Sequence, residues 1–276
     1  MKWLHFILSH SIFIAFCAVA LTFQTALLLR TDIDGFVYGF IFFATLCSYN
    51  FYWIISKAAF TKPGTLHLML QEKKTGLLIL SLSGIGAVFC LYQYPLPVQF
   101  ILTSFLLTCL YALPLLPFRP FYFMRKAGVL KTFLLAFTWA YVTVFIPLQK
   151  TYLLLSNAEL FVFTRRFLFM LMLCIIFDNR DKAVDKIRGL HSLATDLKPG
   201  HLRIFIYLIF VTLFTTNFLY GHYGLTFNQS VALHISTVAL LAVYFYSLKK
   251  RSYLFYYFFV DGMMLFSALA TYIATI

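Results

Sequence analysis

The sequence predicts an all-α membrane protein in which nine transmembrane helices form one bundle. Of its 276 residues, 62% are hydrophobic and only 11% are charged. The apolar residues fall in runs of about 20, the length that crosses a bilayer. In a soluble domain about a quarter of the residues are charged, so this composition excludes an ordinary soluble fold. No repeat or soluble linker interrupts the pattern, and we expect residues 1–276 to form a single domain.

The apolar runs follow one another between short polar turns. They cover residues 5–29, 36–55, 76–94, 98–116, 129–148, 159–177, 202–220, 228–247 and 253–273. The first run is too long for the apolar part of a signal peptide, so we expect it to remain as a helix. Gly35 closes the turn before the second run, and Pro95 and Pro97 break the chain before the fourth.

Lysine and arginine residues alternate between the two sides of the predicted bundle. Of the 22, 18 precede the first run or lie around the loops after the second, fourth, sixth and eighth runs. The other side keeps Arg30, Lys150, Arg165 and Arg166. The positive-inside rule therefore predicts a cytoplasmic N-terminus and an external C-terminus. This distribution also explains the net charge of +13 without a nucleic-acid partner.

One polar stretch stands out, between residues 177 and 189. It holds three of the nine acidic residues, Asp178, Asp181 and Asp185, beside the cations Arg180, Lys182, Lys186 and Arg188. On a helix the three aspartates fall within about 60° of one another. Mg²⁺ suits such a face, because one or two carboxylates hold the ion and leave positions for phosphate oxygens. The alternative is a solvated helix end with mixed charges.

Arg165, Arg166 and Asp261 lie away from the inner ends of their predicted spans, at depths where charge is costly and often functional. Arg165 and Arg166 lie in the outer third of the sixth run, and we expect their side chains to extend outward to the interface. Asp261 in the ninth run is either a functional carboxylate or a hydrogen-bonded packing residue. A transporter that uses these residues along a polar path is one alternative function, although no inverted repeat supports it.

The spacing Asp178-x-x-Asp181-x-x-x-Asp185 after the sixth of nine spans resembles the second acidic motif of the UbiA superfamily of intramembrane prenyltransferases. Tyr111 and the basic loop that leads to Lys131 resemble the middle loop of that family. The resemblance covers nearly the whole chain. It implies a helical bundle around a membrane-open cavity in which Mg²⁺ bridges acidic motifs and an isoprenyl diphosphate. It also implies transfer of the prenyl group to an aromatic or other lipid-soluble acceptor.

The resemblance assigns roles to particular residues. It makes Asp178, Asp181 and Asp185 the Mg²⁺ ligands and, with Asn50, the catalytic residues, while Arg180, Lys182, Lys131 and Arg119 bind the diphosphate. The first acidic motif of the family, N-D-x-x-D-x-x-x-D, aligns on Asn50 but places Phe51, Ile54 and Ala58 at its acids. We therefore expect a single Mg²⁺ that binds only together with a diphosphate.

The lost acids leave two functions open besides the transporter. The first is a Mg²⁺-dependent prenyltransferase that acts on an isoprenyl diphosphate and a hydrophobic acceptor in the bilayer. The second is a non-catalytic protein of the same fold that binds a lipid or a protein partner.

Overall fold

The computed structural model describes residues 2–59, 74–112, 128–150 and 155–276, and the regular elements in these ranges are all helical. Eight helices within them are long and apolar enough to cross a membrane. A shorter apolar helix, Val98–Ala112, lies where the fourth span is predicted. The predicted class, a polytopic all-α membrane protein, is confirmed, with one of the nine predicted spans represented by this shorter described helix.

The helices follow the order of the apolar runs. They are α1 (Lys2–Ser9), α2 (Ile12–Leu29), α3 (Gly35–Ala59), α4 (Lys74–Gln93), α5 (Val98–Ala112), α6 (Gly128–Ala140), α7 (Asn157–Arg188), α8 (Leu193–Asp196), α9 (Pro199–Thr216), α10 (Phe227–Ser247) and α11 (Asp261–Ile273). A π-helical turn, Tyr141–Phe145, continues α6 toward a final short turn, Ile146–Leu148. A second π-helical turn, Phe255–Val260, leads directly into α11.

The first predicted span is interrupted near its beginning. Instead of one helix from residue 5, the chain forms α1 and α2 around Ser11, whose φ of 62° is incompatible with a right-handed helix. The carbonyl of His10 accepts a hydrogen bond of 3.1 Å from the amide of Asn50 on α3. The partner of this carbonyl at the helix break therefore comes from α3. The sequence of the first run alone does not indicate this contact.

Helix α7 lies in the interior of the bundle. Eight consecutive residues, Phe169 to Ile176, are each at most 5% exposed, so the helix is buried on all sides. It begins with a capping box, in which Ser156 and Glu159 bond each other's backbone, and its C-cap is Gly189 in the left-handed conformation. The helix extends past the predicted end at residue 177, so the acidic motif is helical as expected.

The orientation of Arg165 and Arg166 differs from the prediction. Their side chains do not extend to the outer interface, because the two residues are only 5% and 3% exposed. Both guanidinium groups donate hydrogen bonds to neighbouring helices inside the bundle. The prediction was wrong because polar groups of α2 and α10, which are distant in sequence, supply acceptors at this depth.

Candidate acidic site at the end of α7

Asp178 joins three segments of the chain. The hydroxyl of Thr132 on α6 donates to Asp178 Oδ2 at 2.5 Å, and the same hydroxyl accepts a bond of 3.3 Å from the backbone N–H of Leu193 on α8. Gly128 allows this close approach, since a Cβ there would lie 2.2 Å from the backbone nitrogen of Ser192. The start of α6 and the segment after α7 thus hold Asp178 from two sides.

Lys131 brings a positive charge to the same place. Its ammonium group interacts electrostatically with Asp185, Asp178 and Asp181. It also lies 5.9 Å from the centre of the Tyr111 ring, within the range of a cation–π contact. Asp185 is 7% exposed, so part of this charge cluster is removed from water. The electrostatic interactions of Lys131 therefore extend to all three aspartates of α7.

Arg180, which the resemblance assigns to diphosphate binding, already contacts an acidic side chain and three aromatic rings of the protein. Its Nε and Nη2 donate to the two oxygens of Asp181 at 2.7 and 2.6 Å. Its guanidinium carbon lies 4.8, 5.2 and 4.9 Å from the ring centres of Phe177, Tyr256 and Tyr257. The remaining nitrogen, Nη1, is buried and has no hydrogen-bond partner in the described structure. The guanidinium group therefore keeps unused donor capacity at Nη1.

Four aromatic side chains form a wall next to Lys131. We define this aromatic wall as Tyr49, Tyr52, Tyr111 and Trp139. Trp139 Nε1 donates to the hydroxyl of Tyr49 at 3.2 Å, and the rings of Tyr52 and Tyr111 stack with centres 5.1 Å apart. These side chains come from α3, α5 and α6. The sequence singles out Tyr111 through the resemblance, but it does not predict the wall as a whole, because a chain with 34 Phe and 18 Tyr offers no signal for which rings meet.

Asp261 also belongs to the surroundings of this site. It is 5% exposed at the start of α11, directly after the second π-helical turn. It interacts electrostatically with Arg180 and with Tyr49. The sequence contains no pattern that pairs Asp261 with the acidic motif, and tertiary packing alone brings it close to Arg180.

The other predicted site residues are Asn50 and Lys182, which the structure describes, and Arg119, which it does not. The amide nitrogen of Asn50 donates to the carbonyls of His10 and Leu46 at 3.1 and 2.8 Å, so it holds the break between α1 and α2. Lys182 lies on α7 with a partly exposed side chain. Arg119 falls outside the described residues.

The carboxylates of the acidic motif are candidate Mg²⁺ ligands. Within the described ranges no group of three or more His, Cys, Asp or Glu side chains is arranged to hold a metal ion. Both oxygens of Asp181 accept from Arg180, whereas Asp178 and Asp185 are close enough to interact electrostatically. Mg²⁺ needs only one or two carboxylates when phosphate and water complete its shell. The donor set therefore fits one Mg²⁺ in the company of a phosphate ligand.

No protein-family model matches the sequence, and no curated protein matches it. Among solved structures, the chain is similar to the apo structure of a UbiA homologue from Aeropyrum pernix K1. The two chains share 13% identity, the match covers 97% of each, and the TM-score is 0.63. At this identity the likeness establishes the fold. The chain is therefore an integral, multi-pass membrane protein with the UbiA fold, as its motif spacing and nine apolar runs predict.

Proposed function

We propose that this protein transfers an isoprenyl group from an isoprenyl diphosphate to a lipid-soluble acceptor. The observation that carries the proposal is the meeting of Lys131 with the three aspartates of α7 in a chain of UbiA fold. Carboxylates for a cation, cations for a phosphate and an aromatic wall are all present in one region. These are the groups that cleavage of an allylic diphosphate requires, since charge of both signs develops.

The diphosphate would bind at the acidic end of α7, which we define as Asp178, Asp181 and Asp185. Lys131 would neutralise a phosphate oxygen as a compact point charge, and the unpartnered Nη1 of Arg180 would donate to another. Asp178 and Asp185 would hold one Mg²⁺, which would supply positive charge to the leaving diphosphate. Lys182 and Arg119 remain proposed contacts of the same ligand.

The prenyl chain would lie along the aromatic wall. Departure of the diphosphate spreads positive charge over the allylic carbons, and an aromatic face stabilises a nearby cation by about 0.5–2 kcal/mol. Trp139 and Tyr49 are fixed by their mutual hydrogen bond, so their ring faces would need no reorganisation during the reaction. The acceptor would reach the allylic carbon from the bilayer.

A second candidate function is binding of a prenyl lipid or a protein partner without transfer. Asn50 is the observation that favours it, because the amide replaces an acidic motif and its nitrogen is bonded to two carbonyls. Asp181 favours it as well, since Arg180 contacts both its oxygens. In this alternative the site keeps affinity for the diphosphate but lacks the second metal position.

Incubation of the purified protein with Mg²⁺, radiolabelled isoprenyl diphosphates and a lipid extract tests the proposal. A prenylated product that requires Mg²⁺ and is lost in Asp178→Asn supports the transferase. Saturable binding of the isoprenyl diphosphate without product supports the non-catalytic alternative. If neither product nor binding is detected, both functions are contradicted. Asp32→Asn is the matched control, because Asp32 is exposed in the turn between α2 and α3.

We also propose that the acidic end of α7 faces the cytoplasm, on the basis of the alternating basic loops. Single cysteines at Thr65 and Thr226 are expected to show opposite accessibility to an impermeant thiol reagent in intact cells. Equal labelling of both positions would contradict this orientation.

A further inference from the structure

The arginine pair, Arg165 and Arg166, lies deep inside the bundle. Arg165 is about 12 Å along the axis of α7 from its first residue, at ~1.5 Å per residue. Both residues are at least nine-tenths buried. Two adjacent guanidinium groups at this depth of a membrane protein are costly unless their charge is compensated. The proposed transfer reaction does not use either of them.

All the hydrogen-bond acceptors of the pair are neutral. Arg165 Nη2 donates to the carbonyl of Leu233 and the hydroxyl of Thr237. Arg166 Nη1 and Nη2 donate to the following four acceptors: the carbonyl of Leu21, the hydroxyl of Thr143, the amide oxygen of Gln24 and the hydroxyl of Thr25. The ion pairs found in the described part of the chain involve other residues. The two positive charges therefore have dipoles around them but no anionic partner there.

Glu159, the acid nearest to the pair along α7, is already engaged. One of its carboxylate oxygens accepts from Lys150 at 2.8 Å, and the other accepts from the backbone of Ser156 at 2.7 Å. It therefore serves the start of the helix and does not neutralise the arginine pair.

A small cavity lies against the arginine pair. Its volume is about 10 Å³, which is room for one atom-sized ligand. Gln24, Arg165, Arg166 and Ser267 provide its polar lining, and apolar side chains close the remainder. Arg165 Nε is buried and has no hydrogen-bond partner within the described structure. The cavity thus combines uncompensated positive charge with an unused donor.

We propose that this cavity binds a single monatomic anion, chloride under physiological conditions. Chloride would accept a hydrogen bond from Arg165 Nε and would offset one of the two buried charges. A polyatomic anion such as phosphate is too large for the cavity. A neutral water would accept the same hydrogen bond without offsetting charge, and the experiment separates these two occupants. The bound anion would join α2, α7, α10 and α11, because their residues line the cavity.

Thermal unfolding of the purified wild-type protein in detergent micelles tests the proposal. Sodium chloride is compared with sodium gluconate at equal ionic strength, since gluconate cannot enter the cavity. A ligand that binds only the folded state raises its stability by mass action. We expect the unfolding midpoint to be higher in chloride by about 2 °C or more, with a saturable dependence on concentration. Bromide should substitute for chloride, and equal midpoints in the three salts would overturn the proposal.

Two further measurements locate the effect. Arg165→Gln should lose the chloride-dependent shift, while Lys250→Gln, an identical charge change at an exposed position, should retain it. If Arg165→Gln fails to fold, anomalous diffraction from wild-type crystals grown in bromide shows whether an anion occupies the cavity. A bromide peak within hydrogen-bond distance of Arg165 Nε supports the site. A water in the cavity, with bromide only at the protein surface as an adventitious ion, overturns it.

Discussion

The two charged regions of α7 compensate buried charge in different ways. At its acidic end, side chains of opposite charge meet, with Lys131 opposite the aspartates and Arg180 paired to Asp181. At the arginine pair, about 18 Å away at ~1.5 Å per residue, the acceptors that the described residues offer to the two positive charges are neutral oxygens. One helix thus carries an acidic cluster with an ion pair, Arg180–Asp181, and a basic cluster without one among the described residues.

This difference indicates different roles. Ion-paired groups in a partly exposed cluster can exchange their partners for a charged ligand, because the ligand replaces one ionic contact with another. The arginine pair is buried, and the cavity against it, about 10 Å³, is too small for an isoprenyl diphosphate. We therefore expect changes at the acidic end to alter ligand binding and changes at the arginine pair to alter stability.

The largest expected effect on binding is at Asp178. Replacement by Asn removes a carboxylate that would hold Mg²⁺, and we expect Mg²⁺-dependent diphosphate binding to weaken about 100-fold, or about 3 kcal/mol. Asp185→Asn should act similarly, and Asp181→Asn should weaken binding less because Arg180 already occupies its oxygens. Titration with an isoprenyl diphosphate, with and without Mg²⁺, measures the change. Binding that is indifferent to Mg²⁺ and to all three substitutions would refute the role of the acidic end.

The next effect is structural, at Gly128. An alanine Cβ at this position would lie 2.2 Å from the backbone nitrogen of Ser192, so α6 or the segment after α7 must shift. We expect Gly128→Ala to lower the free energy of unfolding by about 1–3 kcal/mol. Thermal unfolding checks this value. Gly84→Ala is the matched control, because no atom lies within 4 Å of its Cβ position, and it should leave the unfolding midpoint unchanged or raised.

Lys131→Gln should have a smaller effect on binding. The substitution removes one charge from the proposed diphosphate site but keeps most of the side-chain length, so we expect about 10-fold weaker binding, or about 1.4 kcal/mol. Added salt should reduce the difference from wild type, since it screens charge. Lys250→Gln is again the matched control. An affinity equal to that of wild type at low salt would place Lys131 outside the ligand site.

The smallest effect on binding is expected at Asn50. Its amide nitrogen bonds the carbonyls of His10 and Leu46, so Asn50→Ala should cost about 1–3 kcal/mol of stability. Diphosphate affinity should change less than threefold, because this nitrogen holds the break between α1 and α2. Parallel unfolding and titration measurements separate the two effects. Loss of diphosphate binding with unchanged stability would indicate that Asn50 contacts the ligand and would contradict its purely structural role.

The sequence by itself determined the membrane class, the order of the helices and the position of the acidic motif. Apolar runs of about 20 residues indicate membrane spans directly, and the spacing of Asp178, Asp181 and Asp185 predicts one helical face because a helix has a fixed period. The same local signals led to the resemblance with the UbiA superfamily, and the fold that this resemblance implies is confirmed. These features depend on residues near one another in the chain.

Only the tertiary structure decided which partners the charged side chains have. Arg180 lies between Phe177 on its own helix and Tyr256 and Tyr257, nearly eighty residues later, and this packing accompanies its bond to Asp181. Arg166 bonds the carbonyl of Leu21 on α2. Periodicity contains no information about such pairs, because a helix presents the same face whichever neighbour covers it. Partner choice follows from the packing of helices that are distant in sequence.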